Sequence, residues 1–308
     1  MKENPELEAY LKEYAPYFSH LDKLFWPEGL TKLDVIKYYL DMSPYLLPLL
    51  QDRPFVMKRY PDGIQGEHFY QKEAPSHAPP WVHTWPVYHR GSKKTVNYVL
   101  CNDAPTLAWL VHLGCLEIHA WLSRKDTLEY PDFAVVDLDP AEGTPFPQVI
   151  EVALLVHKLL KELGLKGYPK TSGSRGMHVF IPIYPRWTFR EVTMAVKALA
   201  QMAVRSYPRG ATLEHNVEKR RGKVYLDYLQ NVRGRSMAFP YSLRALPGAP
   251  VSAPLSWEEV EAGGFEPLSF NYYNIKKRMA TIGDLWSAIL EAPQSLDPLL
   301  NLLKERKI

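Results

Sequence analysis

Short apolar runs and longer amphipathic stretches interleave along this chain without the regular repeat of a doubly wound sheet. Runs rich in β-branched and aromatic residues predict strands at 54–60, 133–139, 178–183 and 224–229. Capping residues or an early proline predict helices at about 31–41, 103–114, 147–164 and 188–207, and a short one from 256. This order of elements predicts an α+β fold with a mixed or antiparallel sheet.

Composition narrows the class of protein. Of 308 residues, 46% are hydrophobic and 23% charged, which is typical of a folded globular protein and excludes a mostly disordered one. The net charge is only +3, so a surface that binds a polyanion must arise from local clustering. Two cysteines, no apolar leader and no run of about 18 apolar residues indicate a cytoplasmic protein without a membrane segment.

An acidic pair ends an apolar strand, FAVVDLDP (133–140). Asp137 and Asp139 lie two residues apart, and alternate residues of a strand share a face, so both carboxylates project together. They repel each other, and a hard divalent cation such as Mg²⁺ or Mn²⁺ would relieve that repulsion. Two solvated acids at a strand end are the alternative interpretation.

A third carboxylate interrupts the apolar run VYLDYL (224–229). Asp227 is costly there unless it is paired or bound to a metal ion. If this strand neighbours 133–139, three carboxylates meet on one face, as a two-metal phosphoryl-transfer site requires. An ion pair with a nearby arginine would also explain this residue.

Two further segments suit phosphate groups. The segment KTSGSRGMH (170–178) offers backbone N–H groups, the guanidinium of Arg175 and the imidazole of His178. It lacks the GxxxxGK[ST] pattern of a Walker A loop, and an ordinary turn is the alternative. The segment 218–244 has seven Lys and Arg against two acids, which favours a polyphosphate or a nucleic-acid backbone over a solvated basic face.

Taken together, these segments resemble the polymerase domain of bacterial DNA ligase D, within the archaeo-eukaryotic primase superfamily. The matching segments occur in family order: HLDKLFWPEGLTK (20–32), PFVMKRYPDGIQGEHFYQK (54–72), GCLEIHAWLSR (114–124), DFAVVDLDP (132–140), PKTSGSRGMHVFIP (169–182) and DYLQNVRGRSMAFPYSLR (227–244). The resemblance implies a primase-like α+β fold with a mixed or antiparallel sheet flanked by helices. It implies one catalytic domain over 1–308, with a helical 5′-phosphate-binding part (1–50), a catalytic core (51–250) and a helical C-terminal part (251–308).

The same resemblance implies roles for individual residues. Two Mg²⁺ or Mn²⁺ ions would be bound by Asp137, Asp139 and Asp227, with Asp227 nearest the primer 3′-OH. The triphosphate of the incoming nucleotide would be held by Lys58, Ser172, Arg175, His178 and Arg244, and its sugar would lie near His119 and Gln230. A 5′-phosphate across a gap would be bound by Lys23 and Lys32, and the template would stack on Phe69 and Tyr70. Contacts to the template or to a second DNA end would come from loop 83–97 and from Arg220.

The function implied is template-directed primer extension with ribonucleoside or deoxynucleoside triphosphates, with ribonucleotides preferred. It would fill short gaps during non-homologous end joining, at the nucleoid, with Ku and a separate DNA ligase as partners and the polymerase as a stand-alone chain. The nearest alternative is a replication-associated primase or primase-polymerase. An inactive DNA-end-binding module and a metal-dependent nuclease are alternatives from other classes.

Overall fold

The computed structural model describes residues 12–305; residues 1–11 and 306–308, which the predicted domain includes, lie outside the described part. Its strands are β1 (Phe55–Arg59), β2 (Phe69–Gln71), β3 (Thr84–His89), β4 (Lys94–Val99), β5 (Cys115–Trp121), β6 (Phe133–Pro140), β7 (Tyr168–Thr171), β8 (Met177–Pro182), β9 (Ala211–Thr212), β10 (Val224–Asp227) and β11 (Ser236–Ala238). Its α-helices are α1 (Lys32–Leu50), α2 (Ala104–His112), α3 (Phe146–Glu162), α4 (Phe189–Ser206), α5 (Trp257–Ala262), α6 (Ile275–Ile282) and α7 (Asp297–Glu305).

The strands form two main sheets and one hairpin. The first sheet has the order β11-β5-β1-β2 and is antiparallel throughout. The second sheet has the order β7-β8-β6-β10-β9 and is antiparallel except for the β10–β9 pair. Strands β3 and β4 form a separate hairpin. The predicted α+β fold with mixed or antiparallel sheets is confirmed.

Two apolar cores lie against the sheets, and the first also includes Phe133 and Phe180 of the second sheet. Helix α1 packs on the first sheet, where the Tyr39 hydroxyl donates to the Leu116 carbonyl at 2.6 Å. Helices α3 and α4 pack on the second sheet through buried apolar residues such as Val152 and Val196. Among residues 12–305, we find no helix with the length and apolar character needed to cross a bilayer.

Local capping explains where the predicted helices begin, but not where α1 ends. Thr31 accepts from the Asp34 N–H as predicted, and the Asp34 carboxylate accepts from the Thr31 N–H. The predicted end near residue 41 is wrong, because α1 continues through Pro44 to Leu50. Proline lacks the N–H that would bond to the carbonyl four residues earlier. The Ser43 hydroxyl donates to that carbonyl, of Leu40, at 2.7 Å, and so replaces the missing bond.

The predicted strand 224–229 is also too long, because β10 stops at Asp227 and residues 228–231 form a 3₁₀ turn. The Asp227 carboxylate accepts from the Leu229 N–H at 2.9 Å, which turns the chain out of the sheet. Buried Asn231 then bonds to both the N–H and the carbonyl of Val135, at 2.8 Å each. These bonds fix the end of β10 against β6.

A buried ion pair connects the two sheets. Arg53 is fully buried and donates to both carboxylate oxygens of Asp132, at 2.5 and 2.8 Å. Its Nε donates to the Leu49 carbonyl at 2.6 Å. Leu49 belongs to α1, on the first sheet, and Asp132 immediately precedes β6 of the second sheet. The relative position of the sheets therefore depends on this pair.

Candidate active site

A row of polar side chains crosses one face of the second sheet. Asp137 on β6 lies directly opposite Asp227 on β10 and His178 on β8, and His178 lies opposite Lys170 on β7. Directly paired residues of antiparallel strands project to the same face. Asp139, two residues after Asp137, shares that face. The two strands predicted to carry the three carboxylates are therefore neighbours.

Burial and mutual repulsion dominate the electrostatics of this row. Burial, and then the charges of Asp227 and Asp139, raise the pKa of Asp137 to about 8. His178 Nε2 lies 3.5 Å from Asp137 Oδ1, and burial holds the His178 pKa well below its ordinary value. A cation bound beside these carboxylates would offset the repulsion that raises the pKa of Asp137.

Lys170 completes the row and was given no role by the sequence analysis. It is fully buried, and its ammonium group donates to the Ser252 hydroxyl. Burial holds the Lys170 pKa well below its ordinary range. Its sequence neighbours, Pro169 and Thr171, gave no sign of this burial, which depends on contact with a distant segment.

The three carboxylates are ligands of the kind that a hard divalent cation prefers. In this structure, however, Asp139 and Asp227 contact other side chains. Asp139 lies 3.7 Å from Arg175 and 4.0 Å from Arg220, and Asp227 accepts from the Gln230 amide at 3.0 Å. Within residues 12–305, no three Asp, Glu, His or Cys side chains converge as metal ligands. The backbone register nevertheless places the three carboxylates on one face of the sheet.

We expect Asp137→Asn to stabilise the protein in a chelator, and more so at about pH 8 than at about pH 5. The folded wild type holds a proton on Asp137 up to about pH 8, whereas the unfolded chain releases it at the ordinary, lower pKa. Raising the pH therefore disfavours folding of the wild type but not of the variant. Urea unfolding at both pH values tests this, and a pH-independent difference between the proteins would contradict it.

The loop between β7 and β8 is built around Ser172. Its hydroxyl accepts from the N–H groups of Ser174 and Gly176, both at 3.1 Å. Its carbonyl accepts from Arg244 Nη1 at 2.7 Å. Two of the N–H groups expected to cradle a phosphate are thus engaged by Ser172, while Arg175 projects with its side chain 69% exposed.

Gly176 packs too tightly against β6 to tolerate a side chain. A Cβ there would lie 2.0 Å from the Leu138 carbonyl oxygen. We expect Gly176→Ala to displace the loop and to destabilise the protein by about 1–3 kcal/mol. Gly91→Ala is the matched control, since Gly91 has no neighbour within 4 Å. Equal urea-unfolding midpoints for the two variants would show that the loop accommodates the methyl group.

The first sheet contributes a cluster centred on Glu117, which the sequence analysis did not single out. Lys58 Nζ donates to Glu117 Oε1 at 2.8 Å, and His119 Nε2 lies 3.1 Å from Oε2. Arg244 Nε lies 3.0 Å from the same oxygen, Oε2. A signal was available, because Glu117 and His119 alternate with apolar residues in CLEIHAW, and a buried acid in an apolar strand is unusual.

A cleft of about 540 Å³ lies between the two sheets. Its walls include Tyr70, His119, Asp137, His178, Gln230 and Arg244. A smaller recess of about 180 Å³ includes Asp137, Asp139, Ser172, Arg175, His178 and Arg244. Six of the seven predicted nucleotide-binding residues thus line these spaces, whereas Lys58 lies behind them on Glu117. Lys72 and Arg235 also line the cleft and were not predicted.

Lys23 and Lys32 meet outside the carboxylate row. The Lys32 N–H donates to the Lys23 carbonyl at 2.8 Å. The Lys23 ammonium pairs with Asp62 at 2.6 Å, and Lys32, which is buried, donates to the Ser19 carbonyl at 3.1 Å. Burial, and then the charge of Lys23, lower the pKa of Lys32. An anion bound between the lysines would relieve this repulsion.

The predicted DNA-contacting residues Phe69, Tyr70 and Arg220 do not share one surface. Phe69 and Tyr70 are 45% and 58% exposed but are successive in β2, so they point to opposite faces. Tyr70 lines the cleft, whereas the Phe69 ring lies 5.3 Å from the Arg59 guanidinium. Arg220 is buried and donates to the carbonyl of Glu214 at 2.6 Å.

The expectation of a loop over 83–97 is wrong, because these residues lie largely in the β3–β4 hairpin. Six residue pairs from Thr84–Val99 to His89–Lys94 form its antiparallel ladder. Alternation of polar and apolar residues explains the hairpin: Val87 and Tyr98 are fully buried, while Tyr88 is 54% exposed. Its tip carries Arg90, Lys93 and Lys94.

Comparison with known proteins places this fold and cleft in the primase-polymerase class. The solved structure described as "Polymerase Domain from Mycobacterium tuberculosis Ligase D in complex with DNA" has 31% sequence identity and a TM-score of 0.83. The alignment covers 90% of this chain and 98% of that one. The family model described as LigD, primase-polymerase domain, matches residues 31–286. The chain belongs to this family.

Curated relatives are longer than this chain. The bifunctional non-homologous end joining protein LigD of Bacillus subtilis is 32% identical over 292 residues, which are 94% of this chain and 46% of that protein. The multifunctional non-homologous end joining protein LigD of Mycolicibacterium smegmatis is 33% identical over 86% of this chain and 34% of its own length. The chain thus spans less than half the length of these relatives.

Proposed function

We propose that this protein is a template-directed nucleotidyltransferase that extends a DNA primer and fills short gaps at broken ends in non-homologous end joining. The observation that carries this proposal is the pairing of Asp137 with Asp227 beside a cleft lined by cationic side chains. Membership of the LigD primase-polymerase family supports it. The proposed catalytic domain comprises the whole chain.

The proposed chemistry joins the primer 3′-oxygen to the α-phosphorus of a nucleoside triphosphate. The bond from the α-phosphorus to the bridging oxygen breaks, pyrophosphate leaves, and the 3′-OH proton passes to solvent. Asp137, Asp139 and Asp227 would hold two Mg²⁺ or Mn²⁺ ions, which lower the pKa of a bound hydroxyl and neutralise charge on the reacting phosphate.

The cationic residues of the cleft would hold the triphosphate. Arg244 and Arg175 present guanidinium groups, which bind phosphate oxygens through charge-assisted hydrogen bonds. Ser172 fixes Arg244 through its carbonyl, as described above, and buried His178 borders both the cleft and the recess. Gln230, which donates to Asp227, links the nucleotide side to the carboxylate row.

The sugar and base would lie toward the first sheet. His119 and Tyr70 border that part of the cleft, with ring centroids 6.4 Å apart. His119 is the proposed neighbour of the nucleotide sugar, and ribonucleotide preference is part of the proposal. Tyr70 and Phe69, one on each face of β2, are the proposed template-stacking residues, because aromatic rings bind unstacked bases in a sequence-tolerant way.

DNA ends with a 5′-phosphate are the proposed nucleic-acid partner, with Ku and a DNA ligase as protein partners. The structural neighbour described above is a complex with DNA. In this chain, the paired Lys23 and Lys32 suit a doubly charged phosphate. Arg220 and the β3–β4 hairpin, which projects three basic residues at its tip, would contact the template or a second DNA end.

Lys23→Ala should weaken binding to gapped DNA with a downstream 5′-phosphate by about tenfold or more, and should change binding to a 5′-hydroxyl gap much less. The reason is the loss of one of the two ammonium groups that face the phosphate. Fluorescence anisotropy with both DNAs measures the difference. Lys158→Ala, whose ammonium lies on the exposed face of α3, 4.0 Å from Glu162, is the matched control.

If Lys23→Ala lost the same affinity for both gapped DNAs, Lys23 would have no role in binding the 5′-phosphate. The same preparations then distinguish gap filling from priming. Synthesis on single-stranded template without a primer would favour a replication-associated primase. Extension only from an annealed primer, stimulated by the 5′-phosphate, is the result expected of a gap-filling polymerase.

A further inference from the structure

We propose that Glu117 is a positioning residue, which orients the side chains that bind the nucleoside triphosphate on the first-sheet wall of the cleft. This inference rests on the proposed function. Glu117 itself is only 2% exposed and does not line the cleft or the recess. It acts through Lys58, His119 and Arg244.

Both carboxylate oxygens of Glu117 lie within 3.1 Å of donor or cationic groups. Oε1 accepts from Lys58 Nζ at 2.8 Å and from the Tyr60 hydroxyl at 3.0 Å. Oε2 lies 3.1 Å from His119 Nε2 and 3.0 Å from Arg244 Nε. These partners come from β1 and the residue after it, from β5 itself and from the segment after β11, where the Ala245 N–H also donates to Oε1 at 3.5 Å. One buried carboxylate thus joins three chain segments.

The charge balance keeps this carboxylate ionised. Burial alone would raise the pKa of Glu117, but the hydrogen bond from His119 and the charges of Arg244 and Lys58 outweigh it and hold the pKa below its ordinary value. One carboxylate then faces one ammonium and one guanidinium group. The cluster keeps a surplus positive charge, which suits a polyphosphate ligand.

Glu117 also determines what His119 presents to the cleft. Burial lowers the pKa of His119, so the imidazole is neutral and carries one proton. An ionised carboxylate at 3.1 Å only accepts hydrogen bonds, so the proton lies on Nε2 and Nδ1 is an acceptor. An acceptor at the cleft wall suits a hydroxyl donor, such as a sugar hydroxyl of the substrate.

Arg244 is oriented at two of its nitrogens. Nε lies 3.0 Å from Glu117 Oε2 in an ion pair without a hydrogen bond. Nη1 donates to the Ser172 carbonyl at 2.7 Å. Among residues 12–305, Nη2 has no hydrogen-bond partner, and Arg244 borders both the cleft and the recess. The guanidinium is thus held by an ion pair with the first sheet and by a hydrogen bond to the β7–β8 loop, and Nη2 is left for a phosphate.

Glu117→Gln tests this role, because it keeps the shape of the side chain and removes its charge. One carboxylate oxygen is replaced by an NH₂ group, which cannot accept hydrogen bonds from the donors around it. We expect triphosphate affinity, measured by calorimetry without catalysis, to fall by about 10–100-fold. The KM for nucleotide should rise by a similar factor, with a smaller change in kcat. Glu129→Gln is the matched control, since Glu129 is an exposed carboxylate paired with Arg233.

A spectroscopic readout separates positioning from a merely structural role. In ¹⁵N NMR of the wild type, His119 should show a neutral ring protonated at Nε2, and the Gln variant should lose this tautomer preference. A wild-type His119 protonated at Nδ1 would overturn the inference without any variant, even if Glu117→Gln fails to fold.

The remaining outcomes separate this inference from the proposed function. Unchanged triphosphate affinity in a folded Glu117→Gln protein would overturn the positioning role and leave the proposed function intact. A wild type that binds no nucleoside triphosphate would overturn both.

Discussion

Asp227→Asn is expected to reduce primer extension by about a thousandfold or more, a loss of several kcal/mol of transition-state stabilisation. The asparagine amide oxygen can still accept from the Leu229 N–H, as Asp227 does at 2.9 Å, so the end of β10 should keep its turn. The substitution removes a carboxylate that lies directly opposite Asp137 and with it a donor for a divalent cation. Single-turnover extension of a labelled primer measures the effect.

Two comparisons separate a loss of catalysis in Asp227→Asn from a loss of substrate binding or a general effect of removing a carboxylate. Triphosphate affinity should change much less than the rate, because the cationic cleft is untouched. Glu162→Gln, in an exposed pair with Lys158 at 4.0 Å, should extend primers at the wild-type rate. Activity of Asp227→Asn within tenfold of the wild type would remove Asp227 from the catalytic machinery.

Arg53→Met is expected to lower the free energy of unfolding by about 3–5 kcal/mol, the usual cost of breaking a buried ion pair from one side. It removes both hydrogen bonds to Asp132 and the bond to the Leu49 carbonyl. Asp132 keeps the bond from Arg124 Nε at 2.8 Å, which makes up only part of the loss. Because the pair connects the two sheets, nucleotide affinity should also fall.

Urea unfolding of Arg53→Met and Arg186→Met, side by side, tests the contribution of burial. Arg186 pairs with Asp297 at 2.9 Å, but both side chains are more than half exposed. Its replacement should cost about 1 kcal/mol or less, because water screens exposed pairs. An equal decrease in the free energy of unfolding for the two variants would show that the buried Arg53 pair contributes no more to stability than an exposed pair.

The parts of the fold that were predictable depend on local chemistry. The capped starts at Thr31, Asp103, Thr188 and Ser256 were predicted correctly, because a cap depends on a few adjacent residues. The end of α1 was not, since Ser43 replaces the hydrogen bond that Pro44 cannot make. The sheet order was not predictable either, because strand pairs such as β1–β5 join segments far apart in the chain.

The candidate site was likewise predictable only where local sequence determines it. Asp137 and Asp139 followed from strand periodicity, and their contact with Asp227 could only be stated as a condition on strand pairing. Glu117 was missed, because its significance depends on Lys58 and Arg244, which only the folded chain brings within 3.0 Å. The sequence around a charged residue does not show which distant charges it contacts in the folded chain.

Extension of a labelled primer across a short gap, with one templating base varied, tests the central claim most directly. With Mg²⁺ or Mn²⁺ and all four ribonucleotides or deoxynucleotides, the wild type should add the nucleotide complementary to the template, and the Asp137→Ala/Asp139→Ala double variant should add none. Addition that ignores the template, or activity retained by the double variant, would contradict a template-directed nucleotidyltransferase centred on these carboxylates.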